Sequence, residues 1–234
     1  MNAQGMLEQL LRSGLSMIEG RAQVPGSGSS SSGGQVQWGQ VGAGAAAGGA
    51  LGLLLGSKRG RRFGGKALKV GSVAALGLLA YKAYGQWQAQ QRAAQSPQPG
   101  TAPAPAELRT VNLLPGPEAE QHSRAMLMSM IAAAKADGHL DERERGLVEA
   151  ELQRVAADVE TRQWFEAELR RPLDPADVAR AAATPELAAE MYLASLLVAD
   201  ETSFMERAYL DELARQLRLP EGLKVELERQ ALAA

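Results

Sequence analysis

Twenty-five of the 27 carboxylates in this 234-residue chain lie at or after Glu107, so the two sides of that boundary are chemically different materials. Residues 1–106 carry ten Lys/Arg against two Glu, a net of +8, whereas residues 107–234 carry 15 against 25, a net of −10. The overall charge of −2 hides this asymmetry. A basic half joined to an acidic one points to contact with a membrane or polyanion at the basic end. Most of the 25 glycines also lie before residue 86. The expected organisation is a Gly-rich, membrane-inserting N-terminal half and an acidic all-α C-terminal domain.

In the basic half, Met6, Leu7, Leu10, Leu11, Leu15 and Ile18 recur at helical spacing, which predicts an amphipathic helix within residues 1–24. The same stretch lacks the basic start, continuous apolar core and small-residue cleavage site of a signal peptide. Residues 25–40 contain PGSGSSSSGG and read as a Gly/Ser linker. Residues 41–88 hold two apolar stretches, 41–57 with no charge and 70–81 between Lys69 and Lys82. As a helix, the first rises roughly 25 Å against a hydrocarbon core of about 30 Å. Membrane insertion is expected because Gly-rich sequence beside serine linkers offers no partner core.

Gly44, Gly48, Gly52 and Gly56 fall on every fourth residue, lining one helix face so that another helix can approach to backbone contact. Lys58, Arg59, Arg61 and Arg62 follow directly. They suit anionic lipid headgroups, each contributing on the order of 1 kcal/mol. Two topologies fit. A hairpin places Trp38 and Trp87 in one interfacial belt opposite the basic loop, and a single pass leaves everything from Lys58 onward cytoplasmic. Residues 89–117, rich in Pro, Ala and Gln, form a semi-rigid spacer.

From Glu118 onward the apolar residues recur at three and four, with no period-two stretch. Seven helices are predicted over roughly 118–136, 142–156, 159–169, 175–183, 185–199, 204–217 and 220–232. Asp141 with Glu144 and Ser203 with Glu206 have capping-box spacing. Asp174-Pro175 and Thr184-Pro185 place a cap before a proline at the first helical position. The expected core includes Met126, Met130, Leu147, Leu152, Trp164, Phe165, Leu169, Met191, Leu196, Leu197, Phe204, Tyr209, Leu213 and Leu217.

Two turns resemble each other: ADGHLDERER from Ala136 and ADETSFMER from Ala199. If they face one another, Asp137, Asp141, Glu144, Asp200 and Glu206 supply hard oxygen ligands for a cation of the Ca²⁺ or Mg²⁺ class. Capping alone also accounts for several of them. The chain has no cysteine, which excludes thiolate metal sites, disulfides and thiol catalysis. Its two histidines, His122 and His139, form no catalytic constellation, and no catalytic residue is expected. Nucleic-acid binding is disfavoured by the charge of the acidic domain.

The run AAAKADGHLDERE, the later SFMERAYLDEL, the LDP at Leu173 to Pro175 and the closing helix after LP resemble the bacterial DUF533 family of YebE-like inner membrane proteins. The C-terminal domain of that family is similar to the tellurite-resistance TerB fold. The resemblance implies a bundle of about seven helices over residues 118–234 and a bacterial inner-membrane location. It also implies a divalent-cation site mapped onto Asp137, Glu144, Asp200 and Glu206, although the second turn here is one residue shorter. The expected role is a membrane-anchored binding or sensing module for a cation or protein partner, or alternatively a structural protein that homo-oligomerises through the glycine face.

Overall fold

The computed structural model describes residues 2–9, 11, 73–94, 114–136, 158–199 and 203–233. Among them are eight helices and no strand: α1 (3–9), α2 (Val73–Ala94), α3 (Gly116–Ala134), α4 (Val159–Arg170), α5 (Pro175–Ala179), α6 (Pro185–Val198), α7 (Phe204–Gln216) and α8 (Glu221–Ala233). The all-α expectation holds for these residues.

Helix α6 organises the others. Its ten consecutive residues from Leu187 to Leu196 are all buried, and a helix apolar on every side must be surrounded. Helices α3, α2, α8 and α7 pack around it. The α3 contact is built on small side chains, with the Ser195 hydroxyl donating to the Ser129 carbonyl of α3 at 3.3 Å. On the far side of α3, Arg124 bridges Glu120 and Glu160 and lies 5.8 Å from the Trp164 ring centroid, which ties in α4.

Helix α2 overturns one expectation. Residues 70–81 read as an apolar stretch suited to a membrane, yet from Val73 they form a helix that continues to Ala94 and packs along α8 and α6. Leu76, Ala80 and Ala83 are buried in the same cluster as the rest of the core. The Gln230 side-chain amide donates to Gln86 Oε1 at 2.9 Å. No helix among the described residues is long and apolar enough to cross a membrane. The physical reason is that a Gly/Ala-rich face flanked by lysines suits another helix as well as it suits lipid, and here the helical domain supplies that partner. The helix thus runs to Ala94, past residue 89, the expected start of the spacer.

Helix α1 also joins this core. Ala3, Met6, Leu7 and Leu11 are buried within it, and the backbone N–H groups of Ala3 and Gln4 donate to the Glu120 carboxylate at 2.9 and 3.3 Å. An anion placed at free helix N–H groups satisfies donors that have no intrahelical partner.

Cap chemistry explains most boundaries. Asp174 accepts from Ala176 N at 2.8 Å and Thr184 from Leu187 N at 3.1 Å, each ahead of a proline. The capping box expected at Ser203 is not formed: its hydroxyl makes no cap hydrogen bond, and Glu206 turns inward to 6 % exposure. Phe204, expected in the core, is 82 % exposed. The buried face of α7 runs through Glu206, Tyr209, Leu210, Leu213 and Ala214, and Phe204 sits two residues before it, about 200° around the helix.

The cap of α4 is Asp158, whose carboxylate accepts from Thr161 N at 2.7 Å. Hydrogen bonds from Thr161 hold its pKa down at about 2. A carboxyl depressed by folding contributes stability that is fully present above its ordinary value of 3.8 and is lost as pH falls toward 2. Asp158→Ala is therefore expected to cost about 0.5–2 kcal/mol at neutral pH. In urea unfolding, that gap between variant and parent should narrow toward pH 2. A gap of constant size would refute the cap's role.

Candidate functional site

A groove of about 690 Å³ opens where five helices converge: the C-terminal end of α5, the N-terminal end of α6, the turn closing α7, the start of α8, and Tyr84 and Trp87 of α2. This volume lies within the range of small-molecule sites, roughly 300–1,000 Å³.

Local sequence sets each wall. The caps at Asp174 and Thr184 aim α5 and α6. The α7–α8 turn is a Schellman closure, with Arg218 N donating to the Arg215 carbonyl at 3.1 Å and Leu219 N to the Ala214 carbonyl at 3.0 Å. This closure requires a left-handed residue, a place usually taken by glycine. Here it is Arg218, at φ 55°. Pro220 then stops any continuation. On the opposite wall Trp87 lies against α8, a contact that glycine permits. A Cβ at Gly222 would stand 3.0 Å from Trp87 Cδ1. Tyr84 packs on Trp87 with ring centroids 5.4 Å apart.

The apolar walls come from Leu219, Pro185 and several alanines, backed by the buried Leu217 and Leu223. Among the described residues, the charges lining the groove are Arg180 and Arg218, and no carboxylate lines it. Arg180 pairs with Asp177, which also receives Arg171 at 3.2 Å, so two guanidiniums share one carboxylate. The Arg218 side chain is exposed and has no partner among the described residues.

Three buried polar atoms have no hydrogen-bond partner among the described residues: Trp87 Nε1, Glu190 Oε1 and Tyr209 Oη. The first belongs to the groove wall. The second belongs to a buried pair at the centre of the bundle, where His122 Nδ1 lies 3.4 Å from Glu190 Oε2. Burial pushes the Tyr209 phenol upward.

Of the metal ligands expected from the paired turns, Asp137, Asp141, Glu144 and Asp200 lie outside the described residues, and Glu206 is buried on the first turn of α7. Among the described residues no group of three or more His, Asp or Glu is placed to hold a metal ion. Gly44, Gly48, Gly52 and Gly56, and Lys58, Arg59, Arg61 and Arg62, also lie outside the described residues. The groove is absent from the sequence expectations. Its one local signal is Arg-Leu-Pro at a helix end that calls for glycine.

Residues 40–231 match the model of a protein family of unknown function, DUF533. The chain is 30 % identical over 110 residues to an uncharacterized protein in the ampR 5′ region of Yersinia enterocolitica, an alignment covering 47 % of this chain and 79 % of that one. No solved structure matches.

Proposed function

The chain belongs to DUF533, a protein family of unknown function, and from that premise we propose that it is a non-catalytic binding module whose helical domain recognises its ligand in the α2–α5–α6–α7–α8 groove. The groove itself carries this reading. It is concave, aromatic-walled and of ligand size, and among the described residues its lining offers no carboxylate, histidine, lysine or thiol to serve as a base or activated nucleophile.

Trp87 gives a direct test. With the three tryptophans labelled with 5-fluorotryptophan, a panel of anionic, cationic and neutral aromatic compounds should include members that move the Trp87 resonance and raise the melting temperature. If no class of compound does either, the reading fails.

The domain is held at a bacterial inner membrane through residues 41–62, a proposal supported by the uncharged stretch and the basic cluster that follows it. Deleting 41–62 should release the protein from the membrane fraction, and recovery of the intact chain as a soluble species would remove the tether. Homo-oligomerisation through the glycine face follows from the same segment. Gly48→Leu with Gly52→Leu should disperse crosslinked species.

A TerB-like divalent-cation site at the two acidic turns is a second ligand proposal, supported by the turn resemblance and by Glu206 at the start of α7. Calorimetric titration with Ca²⁺, Mg²⁺, Mn²⁺ and Zn²⁺ should give heat with at least one, and silence with all four would discard it.

A further inference from the structure

We infer that the groove is specific for a small organic anion with a flat apolar body, and that Arg218 is the residue that selects for the charge; this rests on the groove being a binding site. Three independent observations lead there. First, the acidic part of the chain has 25 carboxylates and 15 basic residues, yet among the described residues the groove lining carries two arginines and no carboxylate. In a domain of net −10 that local inversion marks a place where negative charge is welcome.

Second, Arg218 occupies the left-handed position of the Schellman closure, a conformation that L side chains resist and glycine adopts freely. An arginine there is a local loss of stability, and such outliers persist where the side chain serves the site. Its guanidinium has no partner among the described residues, so no contact described within the chain explains the choice. Arg180, 69 % exposed and sharing Asp177 with Arg171, adds a second donor whose own charge is only partly satisfied.

Third, the remaining walls suit a flat apolar body. Trp87 and Tyr84 offer aromatic surface, Leu219 and Pro220 aliphatic surface. A planar anion lying on these walls would meet guanidinium donors in the charge-assisted geometry that arginine provides best. A polyanion such as nucleic acid would instead need an extended basic track, whereas the described groove lining carries two arginines.

The test uses a matched pair of probes, 1-naphthaleneacetate and the neutral 1-naphthaleneethanol, titrated into the full chain carrying 5-fluorotryptophan, with the Trp87 signal assigned by Trp87→Phe. The acetate should bind about tenfold tighter than the alcohol, the share of one hydrogen bond to a charged group, and added salt should erode that advantage. Arg218→Gly should bring the acetate down to the alcohol's affinity while raising the melting temperature, because it removes the left-handed arginine. A variant that folds better and binds worse separates recognition from a folding defect. Arg180→Gln should weaken the acetate by a smaller factor.

If both probes bind equally to the parent chain, the charge preference is wrong although the groove remains a binding site. If neither probe moves Trp87, the preference for a flat anion is overturned, while the groove as a binding site stands or falls with the wider panel of compounds. If the acetate is preferred but Arg218→Gly keeps that preference, the assignment of Arg218 is overturned.

Discussion

Leu76→Ala is expected to lower the stability of the helical domain by about 2–5 kcal/mol, as for a leucine removed from a packed core. Leu78→Ala, two residues along the same helix, should change it by less than about 0.5 kcal/mol. Leu76 is fully buried among core residues, whereas Leu78 is 63 % exposed. The contrast tests whether α2 is part of the domain. A lipid-embedded segment on a spacer would leave the unfolding of the acidic helices indifferent to either change. A segment that closes the domain against α8 and α6 makes the first change severe and the second silent. Urea titration of the full chain, followed by the 222 nm helical signal, measures both. Equal and small effects would return α2 to the membrane.

How much of this was legible in the sequence depends on the range of the interaction concerned. Helices α5 and α6 could be placed from four residues, Asp174-Pro175 and Thr184-Pro185, because a cap and a first-turn proline act within a few residues of themselves. The central position of α6 was not read, since Glu186 and Glu190 lie one turn apart within PELAAEMYLASLLV and interrupt an otherwise apolar helix. Nor was the partner of α2. Leu76, Ala80 and Ala83 suit any apolar surface, and the information that selects α8 lies 144 positions away, where Gln230 meets Gln86. Phe204 failed for a different reason: its size suggested burial, but one helical face could not hold both it and Tyr209. The groove was illegible because it belongs to no single element. The crowding of Trp87 onto Gly222 and the left-handed Arg218 mark it locally, and of these only Arg218 leaves a trace in the sequence, as Arg-Leu-Pro where a helix end calls for glycine. The acidic turns remain a sequence observation, with Glu206 the one member whose burial is described.

The other large effect is expected at the buried pair. Glu190 is 1 % exposed and His122 12 %, with Nδ1 and Oε2 3.4 Å apart and the second carboxylate oxygen unpartnered. A lone carboxylate inside an otherwise apolar helix is costly unless paired, and His122 is the one side chain that meets it among the described contacts. His122→Leu should therefore destabilise the domain by about 3–5 kcal/mol, because it leaves a buried carboxylate with no partner. Glu190→Met has the opposite logic. It removes the buried charge and its unsatisfied oxygen, fills similar volume, and leaves a partly exposed imidazole that water can reach, so it should be neutral or stabilising by about 1–4 kcal/mol. In the double variant the penalty of His122→Leu should disappear, since the carboxylate that caused it is gone. A thermodynamic cycle over the four proteins measures this directly, and additive single effects would show that the two side chains do not act as a pair. If Glu190→Met proves as damaging as His122→Leu, the carboxylate is bonded to something beyond His122, and the centre of the bundle rather than the groove would become the place to look for a bound polar group.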